Sequence, residues 1–581
     1  MCPRFAIRKG VKVLSRLDIM TPSRAQTVID GLYRDVERRI AASPPGLCPV
    51  DLAMNFLNLC HAQTCGKCVP CRVGLGQLSD LMESVLDGKA TMETIALIER
   101  TARVIVNSAD CAIGRDAARL VLDGIQGFRD DYEEHVLRHR CLGGMQNPVP
   151  CVALCPAGVD IPGYTVLVKY GRYADAVRLI RQDNPFPSAC AYICEHPCEA
   201  RCRRNMIDDA VNIRGLKRYA VDHAGYVPHP ACAEETGKTV AIVGGGPSGL
   251  SAAYYLALMG HKVTVYEKRA KLGGMLRYGI PAYRLPREIL DAEIASLLSV
   301  GIDAKVNVDI GDEITFDELR SRYDALYLAL GAHTDKKTGI EGEDAEGVMS
   351  AVEMLREIGD DHMPDFRGKE IVVIGGGNVA MDVCRSAVRL GARKVSCVYR
   401  RRREDMTALP EEVEGAVAEG VELVTLQAPV RIETNGQGHA VALWTQPQII
   451  GEMDDKGRPK PEKAKLFEKR IAADGIVVAI GQGVETHGFE QSKITIKRGA
   501  FVAEASGQID NMDGVFAGGD CVTGPATVIR AIAAGKVAAA NIDEYLGYHH
   551  VIDVGVEVPT ARLNNKPPHG RINTTEREAD E

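Results

Sequence analysis

Apolar residues recur at helical spacing along the first part of the chain. The repeat covers the stretches Val73–Leu86, Thr91–Val106 and Arg115–Gly127, and a further helical stretch runs over Ala25–Ile40. Residues three and four positions apart lie on one face of a helix, so each stretch can bury one side against its neighbours. The pattern predicts a mainly helical N-terminal region.

From Lys238 onwards the pattern changes to short β-rich runs that alternate with helical stretches. Alternation of this kind is typical of parallel sheets whose faces are covered by helices. The predicted strands are Thr239–Val243, Lys262–Tyr266, Ala325–Leu330, Glu370–Ile374, Lys394–Tyr399, Gly475–Ile480 and Gly514–Ala517. We therefore expect an α/β fold class, with mainly helical domains preceding the sheets.

Composition narrows the range of functions. The chain has 581 residues, enough for about four domains. Its net charge of −8 and aromatic content of 5% argue against nucleic acid as a partner, because such proteins usually carry a basic excess and stacking aromatics. The longest uncharged run, Ala241–Gly260, is broken by glycines and a proline, so we expect no membrane span. The absence of a secretory signal predicts a cytoplasmic location.

A glycine-rich turn follows the predicted strand Thr239–Val243 and precedes a helical stretch. Gly244, Gly246 and Gly249 form the pattern G-x-G-x-x-G, which permits a tight turn and close approach of the backbone to a pyrophosphate. Glu267 ends the next strand, near the distance expected for a carboxylate that binds ribose hydroxyls. The motif predicts a dinucleotide site. The alternative is a helix-packing turn in a domain without a ligand.

A second turn of this type follows the strand Glu370–Ile374. Its residues are Gly375, Gly377, Asn378, Val379 and Ala380, with alanine tolerated at the third glycine position. Where an NAD-selective site would place a carboxylate, the next strand is followed by Arg400 and Arg401. Guanidinium groups pair well with phosphate, so this site is expected to bind the 2′-phosphate of NADP. The alternative is a solvated arginine loop.

The segment Gly514–Asp520, followed by Pro525 and a helix of small residues, resembles two-dinucleotide flavoproteins. That resemblance implies FAD at the first glycine turn, with Asp520 at the ribityl chain. The second glycine turn lies between the two halves of the FAD domain, so the NADP domain is expected to be inserted there, with Gly481 near a crossover and at the NADP site. A thioredoxin-reductase-like enzyme is disfavoured, because Cys384 and Cys397 form no C-x-x-C pair. The further residues expected at FAD are Pro247, Ser248, Lys268, Gly273, Gly274, Leu276, Gly519, Thr527 and Val528.

Fourteen of the 18 cysteines lie in the first 202 residues. A cytosolic chain of this size needs no disulfides, so clustered cysteines indicate metal or redox ligands. Cys65, Cys68 and Cys71 have the spacing C-x2-C-x2-C, and Cys111 is the candidate fourth ligand of a [4Fe–4S] cluster. Zinc is the competing interpretation, but structural zinc more often uses two separated pairs of ligands.

The sequences CGKCVPCRVG and DCAIG resemble the C-terminal [4Fe–4S] module of the NADH-oxidising flavoprotein subunit of respiratory complex I and soluble hydrogenases. The likeness covers about residues 50–125. The FMN-binding part of that subunit is missing, so the resemblance implies only the electron-relay cluster. It also implies docking to flavin and iron–sulfur subunits of the complex I or hydrogenase type.

The cysteines of residues 141–202, with LGGMLRYGIPAYRLP and YRRRREDMTALPEEV, resemble the glutamate synthase small-subunit family. That family includes the NADPH-binding half of dihydropyrimidine dehydrogenase and the large subunit of bifurcating ferredoxin–NADP transhydrogenase. The resemblance implies one [4Fe–4S] set, formed by Cys155, Cys194, Cys198 and Cys202. A second family cluster would retain only the thiolates of Cys141 and Cys151, because Gly144 replaces a cysteine and Lys217 lies at a polar ligand position. We expect that cluster to be altered or absent, giving two or three clusters in all.

These features together predict a subunit that passes electrons between NADP(H), FAD and [4Fe–4S] clusters, in either direction, within a multi-subunit electron-bifurcating transhydrogenase or hydrogenase-type complex. Ferredoxin is a further expected partner. The alternatives are a glutamate synthase small subunit and a cofactor-free assembly scaffold. The expected domains are an extension (1–45), a helical [4Fe–4S] module (46–140), a helical iron–sulfur domain (141–235), an FAD domain (236–345 and 475–550), an NADP domain (346–474) and a tail (551–581).

Overall fold

The computed structural model describes Ile29 and residues 48–138, 149–200, 202–206, 209–453 and 459–559. The predicted helix Ala25–Ile40, apart from Ile29, lies outside these residues, as do Cys141 and the tail after residue 559. The chain divides into two compact units, one ending at Leu154 and the other beginning at Cys155. No helix in the described ranges is long and apolar enough to cross a membrane.

The first unit is helical. Its helices are α1 (Pro49–Ala62), α2 (Leu75–Leu86), α3 (Met92–Ser108), α4 (Ala112–Gly127), α5 (Arg129–Arg138) and α6 (Pro150–Ala153), with a π-helical turn at Pro70–Gly74. In α3, Thr91 caps the N-terminus, and the buried residues Ile95, Ile98 and Ile105 recur at helical spacing. These side chains join one apolar core that includes Phe56. The three helices predicted for this region are confirmed.

The second unit begins with short helices that carry the next cysteines. They are α7 (Ile161–Lys169), α8 (Tyr173–Asp183), α9 (Pro187–Ile193), α10 (Pro197–Ala200) and α11 (Ile213–His223), with a 3₁₀ turn at Arg203–Met206. Side-chain caps start two of them: Asp160 accepts the Gly163 N–H at 2.9 Å, and Asn212 accepts the Gly215 N–H at 2.8 Å. The caps fix where each helix begins.

A parallel five-stranded sheet follows. Its strands are β1 (Thr239–Val243), β2 (Lys262–Glu267), β3 (Asp303–Val306), β4 (Ala325–Leu328) and β18 (Val515–Ala517), in the order β18-β4-β1-β2-β3. The helices of this domain are α12 (Pro247–Leu258), α13 (Met275–Tyr278), α14 (Arg287–Leu298), α15 (Phe316–Arg322), α19 (Asp520–Thr523) and α20 (Val528–Tyr545). Strand β1 is buried over Val240–Val243, as expected for a central strand covered on both faces.

A second parallel sheet has the same plan. Its strands are β6 (Val348–Ser350), β7 (Glu370–Ile374), β8 (Lys394–Tyr399), β9 (Glu422–Thr425) and β14 (Gly475–Val478), in the order β6-β14-β7-β8-β9. The helices α16 (Ala351–Gly359), α17 (Asn378–Arg389) and α18 (Pro410–Ala418) belong to this domain. Apolar side chains of α16, α17 and β7 share one core cluster, so the two halves of each βα unit bury each other.

An antiparallel sheet follows β9 in the chain. The sequence pattern did not predict this sheet. It contains β10 (Gln427–Thr434), β11 (Ala440–Met453), β12 (Pro459–Lys463) and β13 (Lys469–Ala472). Shorter elements complete the unit: the strand pairs β5 (Thr334–Asp335) with β15 (Gln482–Gly483) and β16 (Ile496–Lys497) with β17 (Ala500–Phe501), and 3₁₀ turns at Arg403–Asp405 and His487–Ser492.

The order of strands along the chain shows how the two parallel sheets are connected. All strands of the second sheet lie in sequence between β4 and β18 of the first, so the second domain is inserted into the first. This confirms the predicted α/β class with two Rossmann-like domains. One predicted boundary needs correction: Gly475–Val478 was assigned to the FAD domain, but it pairs with β6 and β7 of the inserted sheet. The local sequence of a buried apolar strand does not show which sheet the strand joins.

Candidate functional site

The first glycine turn connects β1 to α12. Gly244 has a φ of +110°, and a Cβ atom there would lie 2.3 Å from the carbonyl oxygen of Ala329. A Cβ atom on Gly249 would lie 2.0 Å from the Gly244 carbonyl oxygen, whereas one on Gly246 would meet nothing closer than 3.7 Å. Gly244 and Gly249 are therefore needed for close packing, and Gly246 leaves open space at the helix N-terminus. That space fits a pyrophosphate held by backbone N–H groups.

A pocket extends from this turn. Most of the residues predicted to bind FAD line it: Gly244, Gly246, Pro247, Ser248, Glu267, Lys268, Gly274, Asp520, Thr527 and Val528. The others lie beside it. Gly273 donates its N–H to the Gly245 carbonyl oxygen at 2.8 Å, and Leu276 is fully buried. Gly519 has a φ of +72° at the start of α19.

Sequence reasoning missed part of the pocket wall. Asp309, Gly311, His333 and Glu485 also line the pocket, and Glu485 forms an ion pair with Lys268. These residues come from loops that follow three different strands, so no local motif marks them. Burial lowers the pKa of His333 to about 4, which keeps its imidazole neutral at pH 7.

Two carboxyl groups line the pocket, those of buried Glu267 and of partly buried Asp520. Glu267 accepts the Gly245 N–H on one oxygen at 2.8 Å and the Arg269 N–H on the other at 2.9 Å. A carboxylate has further lone pairs, so Glu267 can also accept a ribose hydroxyl. Burial raises the pKa of Asp520 to about 6, although the Ala526 N–H donates to it at 3.2 Å. Both acceptors suit the hydroxyl-rich part of FAD, and the open glycine turn suits its pyrophosphate.

The second glycine turn repeats the first. Gly375 has a φ of +155°, and a Cβ atom there would lie 2.3 Å from the carbonyl oxygen of Ala479. A Cβ atom on Gly377 would come no closer than 3.4 Å to another residue, so this position is again the open one. Asn378 begins α17, and Ala380 is fully buried at the third glycine position. The predicted residue Val379 lies in the same first turn of α17.

The arginines after β8 differ in environment. Arg400 is exposed at the end of the strand. Arg401 is buried and donates its Nε–H to the carbonyl oxygen of Pro459 at 2.9 Å. Arg402 forms an ion pair with Asp405 at 2.8 Å. The three arginines therefore do not form one solvated face. Arg400 is the best placed of them to bind a phosphate, because it is exposed, whereas Arg401 and Arg402 are held by Pro459 and Asp405. Gly481, also predicted at this site, has a φ of +128° and lies next to Lys336.

An ion-pair network joins the two dinucleotide domains. Arg284, which follows α13 of the first domain, donates to both oxygens of Asp382 at 2.9 and 2.8 Å and pairs with Glu412 at 2.8 Å. All three side chains are largely buried. Burial raises the pKa of Asp382 to about 6, while Arg284 opposes the shift. The network fixes the loop after α13 against α17 and α18.

The first cysteine set lies in the first unit. Cys65 is exposed on a turn that contains Gly66, Cys71 is buried in the π-helical turn, and Cys111 directly precedes α4. Burial raises the pKa of Cys71, and the neighbouring thiols of Cys68, Cys111 and Cys65 raise it further. The structure thus brings the four predicted ligands together. A Cβ atom on Gly114 would lie 2.4 Å from the Cys71 sulfur, so glycine is required there.

The second cysteine set surrounds a buried lysine. Lys217 acts electrostatically on Cys155, Cys194 and Cys198. The Cys190 thiol donates to Cys194 and lowers the pKa of Cys194 to about 5, with Lys217 contributing against the effect of burial. The thiolate is the metal-binding form of cysteine, so Cys194 is prepared to bind iron. This chemistry fits a [4Fe–4S] cluster.

The structure also describes two other predicted ligands, Cys202 and Cys151. Cys202 accepts the Val211 N–H at 3.5 Å. Cys151 lies on α6 in the first unit, and Cys141 is outside the described residues. Lys217, expected at a polar ligand position of the second family cluster, is buried beside the thiols of Cys155, Cys194 and Cys198, and lysine is rarely buried without such partners.

Three models of known families match this chain. The model of the pyridine nucleotide-disulphide oxidoreductases matches residues 238–535, which is more than half of the chain. The chain belongs to this family. Two further models match this oxidoreductase before that region: the iron–sulfur binding region of the F subunit of NADH-ubiquinone oxidoreductase at residues 51–135, and the dihydropyrimidine dehydrogenase domain II with a 4Fe-4S cluster at residues 126–226.

Individual relatives of this oxidoreductase were also found. The NADP(+)-dependent formate dehydrogenase subunit beta of Moorella thermoacetica is 35% identical over 86% of this chain and 81% of its own length. The NADPH-Fe(3+) oxidoreductase subunit beta of Geobacter sulfurreducens is 34% identical over 90% of this chain and 84% of its own. The glutamate synthase [NADPH] small chain of Escherichia coli is 35% identical over 70% of this chain and 90% of its own.

These matches confirm the predicted relationship to the glutamate synthase small-subunit and complex I flavoprotein families. They also confirm the predicted class, an oxidoreductase that uses FAD, a pyridine nucleotide and [4Fe–4S] clusters. Two of the relatives are designated subunit beta, so those proteins are parts of multi-subunit assemblies. The individual ligand residues stay predictions, supported by the geometry described above.

Proposed function

We propose that the chain is the NADP(H)-reacting subunit of a multi-subunit complex, in which it transfers electrons between NADP(H) and an iron–sulfur partner. The observation that carries the proposal is the difference in charge between the two glycine turns. Buried Glu267 accompanies the first turn, and exposed Arg400 accompanies the second. A carboxylate suits an unphosphorylated ribose, and a guanidinium suits a 2′-phosphate. The names of the relatives, which include NADP(+) and NADPH, support the same assignment.

The residues of the second unit have separate tasks in this function. Bound together, a nicotinamide and a flavin supply hydride transfer and the conversion of electron pairs to single electrons. The open positions at Gly246 and Gly377 admit the pyrophosphate groups of the two nucleotides. Arg284 fixes the two domains to each other through Asp382 and Glu412. Cys155, Cys194, Cys198 and Cys202 would provide the thiolates that hold the first electron acceptor.

We assign the exit of electrons to the first unit. Cys65, Cys68, Cys71 and Cys111 would hold the relay cluster, and the partners would be flavin and iron–sulfur subunits of the complex I or hydrogenase type, with ferredoxin as a further acceptor. In its fullest form the complex is an electron-bifurcating transhydrogenase or hydrogenase. We also retain the cytoplasmic location, because a reducing compartment keeps such thiols available for iron.

Replacement of Arg400 by alanine tests the nucleotide assignment. A hydrogen bond to a charged group contributes about 1.5–3 kcal/mol, so kcat/KM for NADPH should fall by about 10-fold to 100-fold while that for NADH changes little. The measurement is NADPH-driven and NADH-driven bleaching of flavin absorbance under anaerobic conditions. Arg402→Ala is the matched control, because Arg402 lies in the same loop but pairs with Asp405. An equal loss for both nucleotides in Arg400→Ala would contradict the assignment.

Purification of the complex under anaerobic conditions tests the function as a whole. We expect FAD, iron and sulfide in the chain and hydrogenase-like or complex-I-like subunits bound to it. Protein without flavin or iron would instead support a cofactor-free scaffold. Co-purification with a large glutaminase-type subunit would support glutamate synthesis, to which the Escherichia coli relative belongs by name.

A further inference from the structure

One hydrogen bond connects the cysteine loop of the second unit to the second glycine turn. Glu195 lies between the predicted cluster ligands Cys194 and Cys198, in a loop where His196 adopts a φ of +40°. The Asn378 side-chain amide donates to a carboxylate oxygen of Glu195 at 3.1 Å. A residue next to a cluster ligand therefore contacts the helix whose N-terminus would receive the nucleotide.

The Asn378 side chain is held in a defined orientation. Its carbonyl oxygen accepts the backbone N–H of Leu409 at 2.8 Å, which directs its amide group towards Glu195. Asn378 is also the first residue of α17 and directly follows the open glycine Gly377. A pyrophosphate bound at this helix N-terminus would compete for hydrogen-bond donors at the position that Asn378 occupies.

The charges around Glu195 come from different parts of the unit. Arg530 on α20 and Arg284 of the interdomain network both act on its carboxylate, and Cys194 acts on it with the opposite sign. Helix α20 begins at Val528, which lines the FAD pocket. Glu195 thus contacts the nucleotide helix through Asn378 and lies within electrostatic reach of Arg530 on the flavin-side helix.

We propose that Glu195 is a positioning residue that couples NADP(H) occupancy to the reduction potential of the cluster held by Cys194. A nucleotide that draws the Asn378 amide away would leave the negative charge of Glu195 less compensated beside Cys194, which makes the cluster harder to reduce. By thermodynamic linkage, reduction of the cluster then weakens NADP⁺ binding by the same factor. The inference rests on the proposed function, because NADP(H) is its ligand.

The test is a redox titration of the loaded full chain, monitored by electron paramagnetic resonance with and without NADP⁺. The relevant signal is the one that Cys194→Ser removes. Coupling between sites is typically about fivefold or more, so NADP⁺ should lower the midpoint potential of the wild-type cluster by at least about 40 mV, at about 59 mV per tenfold for one electron. In Glu195→Gln this NADP⁺-dependent shift should disappear.

Glu199→Gln is the matched control. Glu199 lies in the same cysteine segment beside Cys198 and its carboxylate accepts the Arg214 N–H at 2.8 Å, whereas Glu195 accepts from Asn378. Both variants remove one negative charge near the cluster, so both can change the potential measured without nucleotide. Only Glu195→Gln should remove the shift that NADP⁺ causes.

The outcomes separate this inference from the function on which it rests. NADP⁺ binding is measured independently by equilibrium dialysis, and a wild-type chain that binds no NADP⁺ would refute the proposed function. Binding with a full shift in Glu195→Gln, or loss of the shift in Glu199→Gln as well, would overturn the coupling. If Glu195→Gln fails to retain its cluster, Glu195→Asp decides: it keeps the charge but shortens the side chain, and an undiminished shift would also overturn the proposal.

Discussion

At the scale of single residues, the candidate site combines groups that are costly to bury. Asp520 is a carboxyl group whose pKa burial raises to about 6, above its ordinary value of 3.8. When no FAD is bound, protonation of Asp520 stabilises the folded chain. This contribution to the free energy of unfolding is fully present below about pH 4 and is lost as the pH rises through 6. A bound ligand whose hydroxyl groups donate to the carboxylate favours the ionised form of Asp520 instead of the protonated form.

The affinity of the FAD-free chain for FAD should therefore depend on pH. Hydroxyl donation favours the ionised form of Asp520, so the affinity should fall as the pH drops below 6, by at most about tenfold per pH unit. The measurement is fluorescence quenching of FAD between pH 5 and pH 8. Asp520→Asn should bind more weakly and lose this dependence, and Asp510→Asn, an exposed residue outside the pocket wall, should keep it. A pH-independent wild type would contradict the prediction.

At the scale of elements, one helix of the flavin domain holds a helix of the cysteine region. Glu293 on α14 is buried and accepts the N–H groups of Ser188 and Ala189 at 2.6 and 2.8 Å, at the start of α9. Helix α9 ends at Ile193, and Cys194 is its C-cap. The carboxylate satisfies two of the N–H groups that every helix start leaves without an intrahelical partner, so it fixes the helix that leads to the predicted cluster ligand.

Removing this cap should destabilise the second unit. Glu293→Ala leaves the buried Ala189 N–H and the partly buried Ser188 N–H without this partner, at a cost of up to about 1–3 kcal/mol for each unsatisfied group. We expect a lower urea midpoint in unfolding followed by flavin fluorescence, with a smaller loss in Glu293→Gln, which retains one acceptor. Glu288→Ala, on the exposed face of the same helix, is the control. Equal midpoints for Glu293→Ala and Glu288→Ala would refute the capping role.

The elements also show what sequence reasoning can and cannot reach. Each predicted strand was found, because an apolar run followed by a glycine turn is a local signal. The sheet that β14 joins was assigned wrongly, since that choice depends on pairing with a strand about a hundred residues earlier. The burial of Arg401 depends on Pro459 in the unpredicted antiparallel sheet, and the position of Lys217 among thiols depends on helix packing. Such long-range contacts leave no pattern in the local sequence.

At the scale of the whole molecule, two similar domains are distinguished by charge rather than by fold. Both glycine turns pack against a backbone carbonyl, that of Ala329 in the first domain and that of Ala479 in the second. The inserted arrangement returns the chain to β18, which places Asp520 and α20 beside the first turn. One chain thus provides both a nucleotide site and a flavin site. The two cysteine sets precede both sites in the sequence.

The division into two units predicts that entry and exit of electrons can be separated by mutation. Cys68→Ala removes one predicted ligand of the first unit's cluster. It should leave NADPH-driven flavin reduction within about twofold of the wild type, because the residues of both nucleotide sites lie in the second unit. Transfer to the partner subunits should be lost, because we assign the exit of electrons to the first unit. Stopped-flow flavin absorbance and steady-state reduction of the partner measure the two steps. Cys232→Ala, an exposed cysteine outside both sets, is the control, and undiminished partner reduction in Cys68→Ala would remove this cluster from the route.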